Sequence, residues 1–324
     1  MDRIFDAQID RTALFGKRVA VIGYGNQGRA QSLNLHDSGI DVVVGLRDGS
    51  PSSAEVKAAG LTTASLEDAA ATADLVMLLI PDETMAAVYG QIEPHLRPGA
   101  ALGFSHGLAI HFGLIRPDPS LGVIMVAPKG PGSALRSLFE AGSGMLALAA
   151  VAQDPRGDCW PLALAYARAL GCGRAGVIRS TFEEECVADL FNEQAVVWGA
   201  VPEVLVAGFD TLVEAGISPE VAYMECVGEL KLLAELIEAR GIAGMREAIS
   251  NTAELGASLG AERLIDPTFK VAMKAVLAEL SSDNFARALM AEAGYADGFE
   301  VTLDCPNNRY INDEEICQAV TAMW

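Results

Sequence analysis

Three groups of residues in this chain have the types and spacing to do chemistry. The first is Gly23-Tyr24-Gly25-Asn26-Gln27-Gly28, a G-x-G-x-x-G loop. In such a loop the first glycine allows a tight turn and the second lets a pyrophosphate approach the backbone. The third permits close packing of helix on strand, and the helix N-terminus offers N–H groups and a positive dipole. The second group is two acidic pairs, Asp189 with Glu193 and Glu225 with Glu229. Four residues is about one helical turn, so each pair projects from one face. Like charges at that spacing repel, and apolar neighbours (Leu190, Phe191, Tyr223, Met224) make unpaired charge costly. Divalent cations shared between two helices would offset that cost, and an all-oxygen donor set suits Mg²⁺. Two solvated acidic faces are the competing reading. No His or Cys cluster has the spacing of a zinc site. The third group is single side chains at strand ends: His106 after residues 100–104, and Lys129 in Pro128-Lys129-Gly130-Pro131-Gly132. Open α/β sheets place ligands at such ends. Ser250, in Ser250-Asn251-Thr252-Ala253-Glu254, reads either as a helix cap or as a substrate contact.

The elements that position these residues follow from hydrophobic periodicity. Apolar runs at 17–23, 41–46, 74–80, 100–104, 122–126, 145–151 and 175–180 read as strands. Helical patterns at 26–38, 65–73, from Asp82 onward and at 160–170 separate them. Continuous apolar strands alternating with helices are the signature of a parallel sheet buried on both faces. From residue 182 to about 280 the period becomes 3.6, as at 186–206, 219–239 and 266–280. The chain therefore divides into an α/β Rossmann-type, doubly wound domain (1–181) and an all-α domain (182–324). A loop and a short final helix are expected at 304–324.

Composition narrows the class of function. Against 43 Asp+Glu stand 23 Lys+Arg, a formal charge of −20 in 324 residues. That balance argues against broad binding to nucleic acid or an anionic membrane. The first residues lack the apolar core of a signal peptide, and apolar stretches such as 75–81 and 145–152 fall far short of the ~18 residues of a membrane span. Six cysteines without a CxxC pair read as reduced thiols, so a cytoplasmic location is expected. The second strand ends in Gly45-Leu46-Arg47, followed by Asp48-Gly49-Ser50-Pro51-Ser52. An arginine with hydroxyls suits the 2′-phosphate of NADP, although Asp48 would repel it if it faced it.

Taken together, these motifs resemble the short-chain (class I) ketol-acid reductoisomerase family. VIGYGNQGRAQSLNLHDSG, VVVGLR, PDET, SHG, VIMVAPKGPG, DLFNEQAV, ECVGELKLL and ISNTAELG occur in the family's order and spacing. The resemblance implies an enzyme using Mg²⁺ and NADPH that converts a 2-hydroxy-2-alkyl-3-keto acid such as acetolactate to a 2,3-dihydroxy acid, as in isoleucine and valine biosynthesis. It places Gly23, Tyr24, Gly25, Asn26, Gln27, Gly28, Arg47, Ser50, Ser52, Asp82, Glu83, Thr84, Met85 and Gly132 at the cofactor. His106 falls on the catalytic histidine, Asp189, Glu193, Glu225 and Glu229 on the metal ligands, and Ser250 on the substrate serine. Lys129 would stabilise developing negative charge, and Glu229 would handle a proton. The resemblance further implies a homodimer or higher oligomer, a knotted helical domain, and active sites whose acidic pairs come from different chains.

Several substrate-side positions depart from the family pattern. Leu108-Ala109 stand for Phe-Asn, Ser133 for His and Leu255 for Tyr, with further changes at Asn192, Trp198 and Gly228. They raise a specialised paralogue acting on a related hydroxy-keto acid as one alternative. A metal-independent β-hydroxyacid-type dehydrogenase and a non-enzymatic NADP-binding sensor are the others.

Overall fold

In the computed structural model, residues 2–282 are described. Contacts divide the chain into two compact units, Met1–Ala286 and Arg287–Trp324, and the fold below is that of the first. The loop and helix expected at 304–324, with Cys305 and Cys317, lie outside the described residues.

Among the described residues eight strands form one sheet: β1 (Arg18–Ile22), β2 (Asp41–Gly45), β3 (Thr62–Ala64), β4 (Leu75–Leu78), β5 (Ala101–Phe104), β6 (Gly122–Pro128), β7 (Ala147–Gln153) and β8 (Val177–Arg179). Side chains alternate between two faces, and both faces are apolar. On β1, Val19 and Val21 enter one core while Ala20 and Ile22 enter the other. Helices must therefore cover both sides. The cover comes from α1 (Asn26–Asp37), α2 (Ser52–Ala58), α3 (Leu66–Thr72), α4 (Asp82–Ile92), α5 (Leu108–His111), α6 (Gly132–Glu140) and α7 (Cys159–Ala169).

Strand order is β3-β2-β1-β4-β5-β6-β7-β8. The first six strands have the Rossmann order, with its switch point between β1 and β4. One expectation is corrected: the sheet is not wholly parallel, because β7 runs antiparallel to β6, with Pro128 opposite Ala147. The reason lies in α6, which packs on α1 at the carboxyl edge instead of crossing the sheet. The chain consequently re-enters beside the end it left. The short strand β3 also had no signal in the apolar pattern.

From Phe182 to Leu280 the described chain is helical: α8 (Phe182–Phe191), α9 (Ala200–Glu214), α10 (Pro219–Tyr223), α11 (Leu230–Ala248), α12 (Asn251–Leu264) and α13 (Pro267–Leu280). The two helices expected to run unbroken at 186–206 and 219–239 each contain a π turn, Asn192–Val196 and Met224–Gly228. The i→i+5 bond from Val197 N–H to the Asn192 carbonyl, at 3.0 Å, marks the first. Such one-residue insertions concentrate at functional sites. The helical run Phe182–Glu214 spans 33 residues with a window of mean hydropathy 1.6. By length and composition it reaches membrane-span size, which corrects the expectation that no stretch does. It also carries Asp189 and Glu193, and Glu185 at its buried start.

Candidate active site

Backbone geometry makes the glycine loop a cradle. Gly23 holds φ +98°, and a Cβ there would stand 2.6 Å from the Leu79 carbonyl oxygen. A Cβ on Gly28 would come 2.5 Å from the Gly23 carbonyl oxygen, so helix and strand meet backbone to backbone. At Gly25, by contrast, a Cβ meets only open space. A pyrophosphate fits there, at the N-terminus of α1. Two cavities flank the loop. One, of about 320 Å³, is lined by Gly23, Gly25, Arg47, Ser50, Ser52 and Thr84. The other, of about 500 Å³, is lined by Tyr24, Gly25, Asn26, Gly132, Ser133 and Arg136. The Gly132 N–H donates to Asn26 Oδ1, which ties the loop after β6 to the glycine loop.

Other members of the expected cofactor set stand differently. Gln27 donates to the Gly130 carbonyl at 2.9 Å, so its side chain braces one loop on another. Met85 is buried in the core beneath α4, and Glu83 is exposed. Asp82, the first residue of α4, turns toward His106, with Oδ2 at 3.8 Å from Nδ1. Burial pushes its carboxyl above the ordinary range, opposed by the His106 imidazole.

Along the carboxyl edge of the sheet, β5, β6 and α8 bring four groups together. His106 follows β5, Lys129 follows β6, and α8 supplies Glu185 and Asp189. His106 Nε2 lies 3.7 Å from Asp189 Oδ2 and 4.0 Å from Glu185 Oε2. Lys129 Nζ donates to Glu185 Oε1 at 3.3 Å and to Asp189 Oδ1 at closer range. Burial lowers the lysine pKa, but the Asp189 and Glu185 carboxylates outweigh it and leave the group above its usual value. Glu185 is only 1% exposed, and its carboxyl is pushed up by burial against the pull of His106 and Lys129. Its Oε2 also accepts the Gly107 N–H at 2.7 Å, which fixes the loop that carries His106.

Sequence reading missed Glu185, although a signal existed. Glu185, Asp189 and Glu193 form a ladder at spacing four, and only its upper two rungs were taken as a pair. Glu193 lies in the first π turn, and burial and then the Asp189 charge push its carboxyl upward. Asp189 is part-buried, and Glu193, one turn on, is exposed as a residue. Their like charges, with a buried His106 Nε2 that makes no hydrogen bond beside Asp189, fit a divalent cation bound through the carboxylate oxygens. Of the four expected metal ligands only Asp189 belongs to the cluster of His106, Glu185 and Asp189; Glu193, Glu225 and Glu229 are exposed and stand outside it. Ser250 is likewise exposed and caps α12, its Oγ accepting the Ala253 N–H at 3.2 Å. Among the departures, Leu108 and Ala109 are buried beneath the His106 loop. Ser133, Trp198 and Leu255 are exposed.

A dinucleotide cradle beside an imidazole, an ammonium and paired carboxylates on a Rossmann edge defines a nicotinamide-dependent oxidoreductase. Comparison with known families narrows the class. Residues 13–176 match the profile described as acetohydroxy acid isomeroreductase, NADPH-binding domain. Residues 182–311 match ketol-acid reductoisomerase, C-terminal domain. The chain belongs to the ketol-acid reductoisomerase family.

Among solved structures, it is similar to an NADH-preferring ketol-acid reductoisomerase from an uncultured archean. Identity is 42% over 90% of each chain, with a TM-score of 0.86. A semialdehyde dehydrogenase NAD-binding protein from Cupriavidus necator shares 19% identity over 86% of this chain and 99% of its own, TM-score 0.64. A pyrroline carboxylate reductase from Plasmodium falciparum shares 13% over 83% and 98%, TM-score 0.57. The last two share the fold alone.

Proposed function

We propose that this chain is a cytoplasmic, NADPH- and Mg²⁺-dependent ketol-acid reductoisomerase. Its substrate is a 2-hydroxy-2-alkyl-3-keto acid such as acetolactate. The observation that carries the reading is the cluster of His106, Lys129, Glu185 and Asp189 at the sheet edge, next to the glycine loop. When bound, Mg²⁺ supplies the charge that eases alkoxide formation and polarises the keto group, and NADPH supplies hydride.

The chain's own residues do the rest. Gly25 and the N-terminus of α1 receive the pyrophosphate. Arg47, Ser50 and Ser52 line the cavity where a 2′-phosphate would sit, which supports NADPH over NADH. Asp189 and Glu193, with Glu225 and Glu229, hold the cation. Lys129 offers positive charge to oxygen anions that develop in the reaction. His106 and Glu229 exchange protons with the substrate's oxygens, and Ser250 contacts its carboxylate end.

The acidic pairs and Ser250 are separated within one chain, so we propose a site completed by a second copy in a homodimer or larger assembly. Exposed apolar side chains on the same helices support this: Trp198, Met224, Leu232, Leu255, Leu264 and Val271. Monomeric proteins rarely leave such a surface open. The departures at Leu108 and Ala109 are buried, whereas those at Ser133, Trp198 and Leu255 are exposed, on surface that a second copy could meet. The exposed group favours a second reading, a relative of acetolactate as natural substrate.

An assay of NADPH oxidation with acetolactate, 2-aceto-2-hydroxybutyrate and 3-hydroxy-3-methyl-2-ketobutyrate tests the proposal. The expected result is Mg²⁺-dependent turnover of at least one of the first two. Turnover that survives EDTA would instead identify a simple dehydrogenase.

A further inference from the structure

Helix α1 turns polar side chains into the protein where apolar ones would ordinarily pack. Gln31 and Asn34 have no solvent exposure. Tyr166, buried in α7, donates its hydroxyl to Gln31 Oε1 at 2.7 Å. The Gln31 amide nitrogen donates to Ser105 Oγ at 2.9 Å and to Gln27 Oε1 at 3.0 Å. Ser105 passes its own hydrogen to the Val126 carbonyl at 2.9 Å, and Gln27 donates to the Gly130 carbonyl at 2.9 Å. Both amide protons and the carbonyl of Gln31 are thus committed. Its partners are the glycine loop and the residue beside His106 and, through Gln27, the loop that follows Lys129.

We propose that Gln31, anchored by Tyr166, is a positioning residue for catalysis. One buried amide sets the cofactor loop and the His106 loop in register with each other. This rests on the reductoisomerase reading of the site. A buried amide is tolerated only when fully bonded, and a helix that needed only to pack would place an aliphatic side chain here. Asn34 provides the internal comparison. It is equally buried and bonds the Leu170 carbonyl at 3.1 Å and Arg136 at 2.9 Å. Arg136 lines a cavity beside the glycine loop, but neither bond reaches the His106 loop.

The test compares three variants of the full-length protein, each assayed at the same interval below its own Tm. Gln31→Met keeps the side chain's length and removes the amide. It should weaken NADPH binding, read by nicotinamide fluorescence, about tenfold and lower kcat about tenfold, the loss of one or two net hydrogen bonds. Tyr166→Phe should move both quantities in the same direction, about threefold. Asn34→Leu should lower Tm to a similar degree while kcat at saturating NADPH stays within about twofold of wild type, because its bonds do not reach the His106 loop. The proposal is overturned if Gln31→Met lowers Tm but binds and turns over like wild type, or if Asn34→Leu loses as much activity. Should Gln31→Met not fold, Tyr166→Phe decides, and wild-type affinity and rate in that variant overturn the proposal. A wild-type enzyme inactive on every hydroxy-keto acid would instead overturn the function, leaving NADPH affinity to judge Gln31.

Discussion

Asp189 is the residue on which the candidate site converges, since it touches Lys129 and faces His106. It lines neither of the two cavities that flank the glycine loop, so cofactor binding and chemistry should separate on substitution. Asp189→Asn is expected to lower kcat at least a hundredfold and leave the NADPH dissociation constant within about twofold. Joint loss of both, measured by steady-state kinetics and fluorescence titration, would contradict that division. Glu185→Gln should lower kcat by ten- to a hundredfold, because it removes a charge that holds Lys129 while keeping the side chain's size. Both residues show how much of the site was legible. Asp189 and Glu193 stood out by spacing, and His106 and Lys129 by their place after strands. Glu185 hid in a run of three glutamates, of which the third alone stands four residues before Asp189 and is buried. Asp82 and Gln27 were legible as members of the cofactor motif. Where their side chains point depends on loops more than 20 residues away, which spacing does not record.

Elements were legible where periodicity speaks and obscure where tertiary contact decides. The buried alternation of β1, β4 and β5 was plain in their sequences. The reversal of β7 was not, because it follows from α6 lying on α1, a contact between residues about 100 apart. The π turns were equally hidden, since one inserted residue hardly disturbs an apolar period. Helix caps are decided by local chemistry. Asp266 bonds the Thr268 hydroxyl and amide and the Phe269 amide at the start of α13. The Thr268 side chain first, and then these amides, hold its carboxyl below the usual range. The folded pKa is depressed, so its contribution is complete above the ordinary aspartate pKa of about 3.9 and is lost as pH falls through the folded value. Thermal melts below about pH 5 should show Asp266→Asn losing less Tm per pH unit than wild type. Equal acid slopes for the two proteins would remove Asp266 from the account.

At the scale of the molecule, the described part of the helical half exposes large apolar side chains, Leu264 at 78% and Trp198 at 60%, which supports the proposed second copy. The separated acidic pairs point the same way. Sequence reading anticipated a shared site only through the family resemblance, since no pattern within a chain states which surface meets a copy. Mixing two inactive variants tests it. Asp189→Asn and Glu229→Gln homodimers should each be inactive. Refolded together at equal amounts, half the dimers are mixed, and one of their two sites is intact. Activity should return to about a quarter of wild type. No recovery, with mixed dimers present by mass spectrometry, would mean that each site is built from one chain.

The proposed reductoisomerase activity requires the alkyl group on C2 to move to C3 before hydride reduces the new ketone, and the structure of the product tests it most directly. Acetolactate labelled with ¹³C in the methyl group on C2 is incubated with the protein, Mg²⁺ and NADPH and examined by NMR. The account predicts 2,3-dihydroxy-3-methylbutanoate, with the labelled methyl moved to C3. Formation of 2,3-dihydroxy-2-methylbutanoate, with the label still on C2, would contradict it and make the protein a simple ketone reductase.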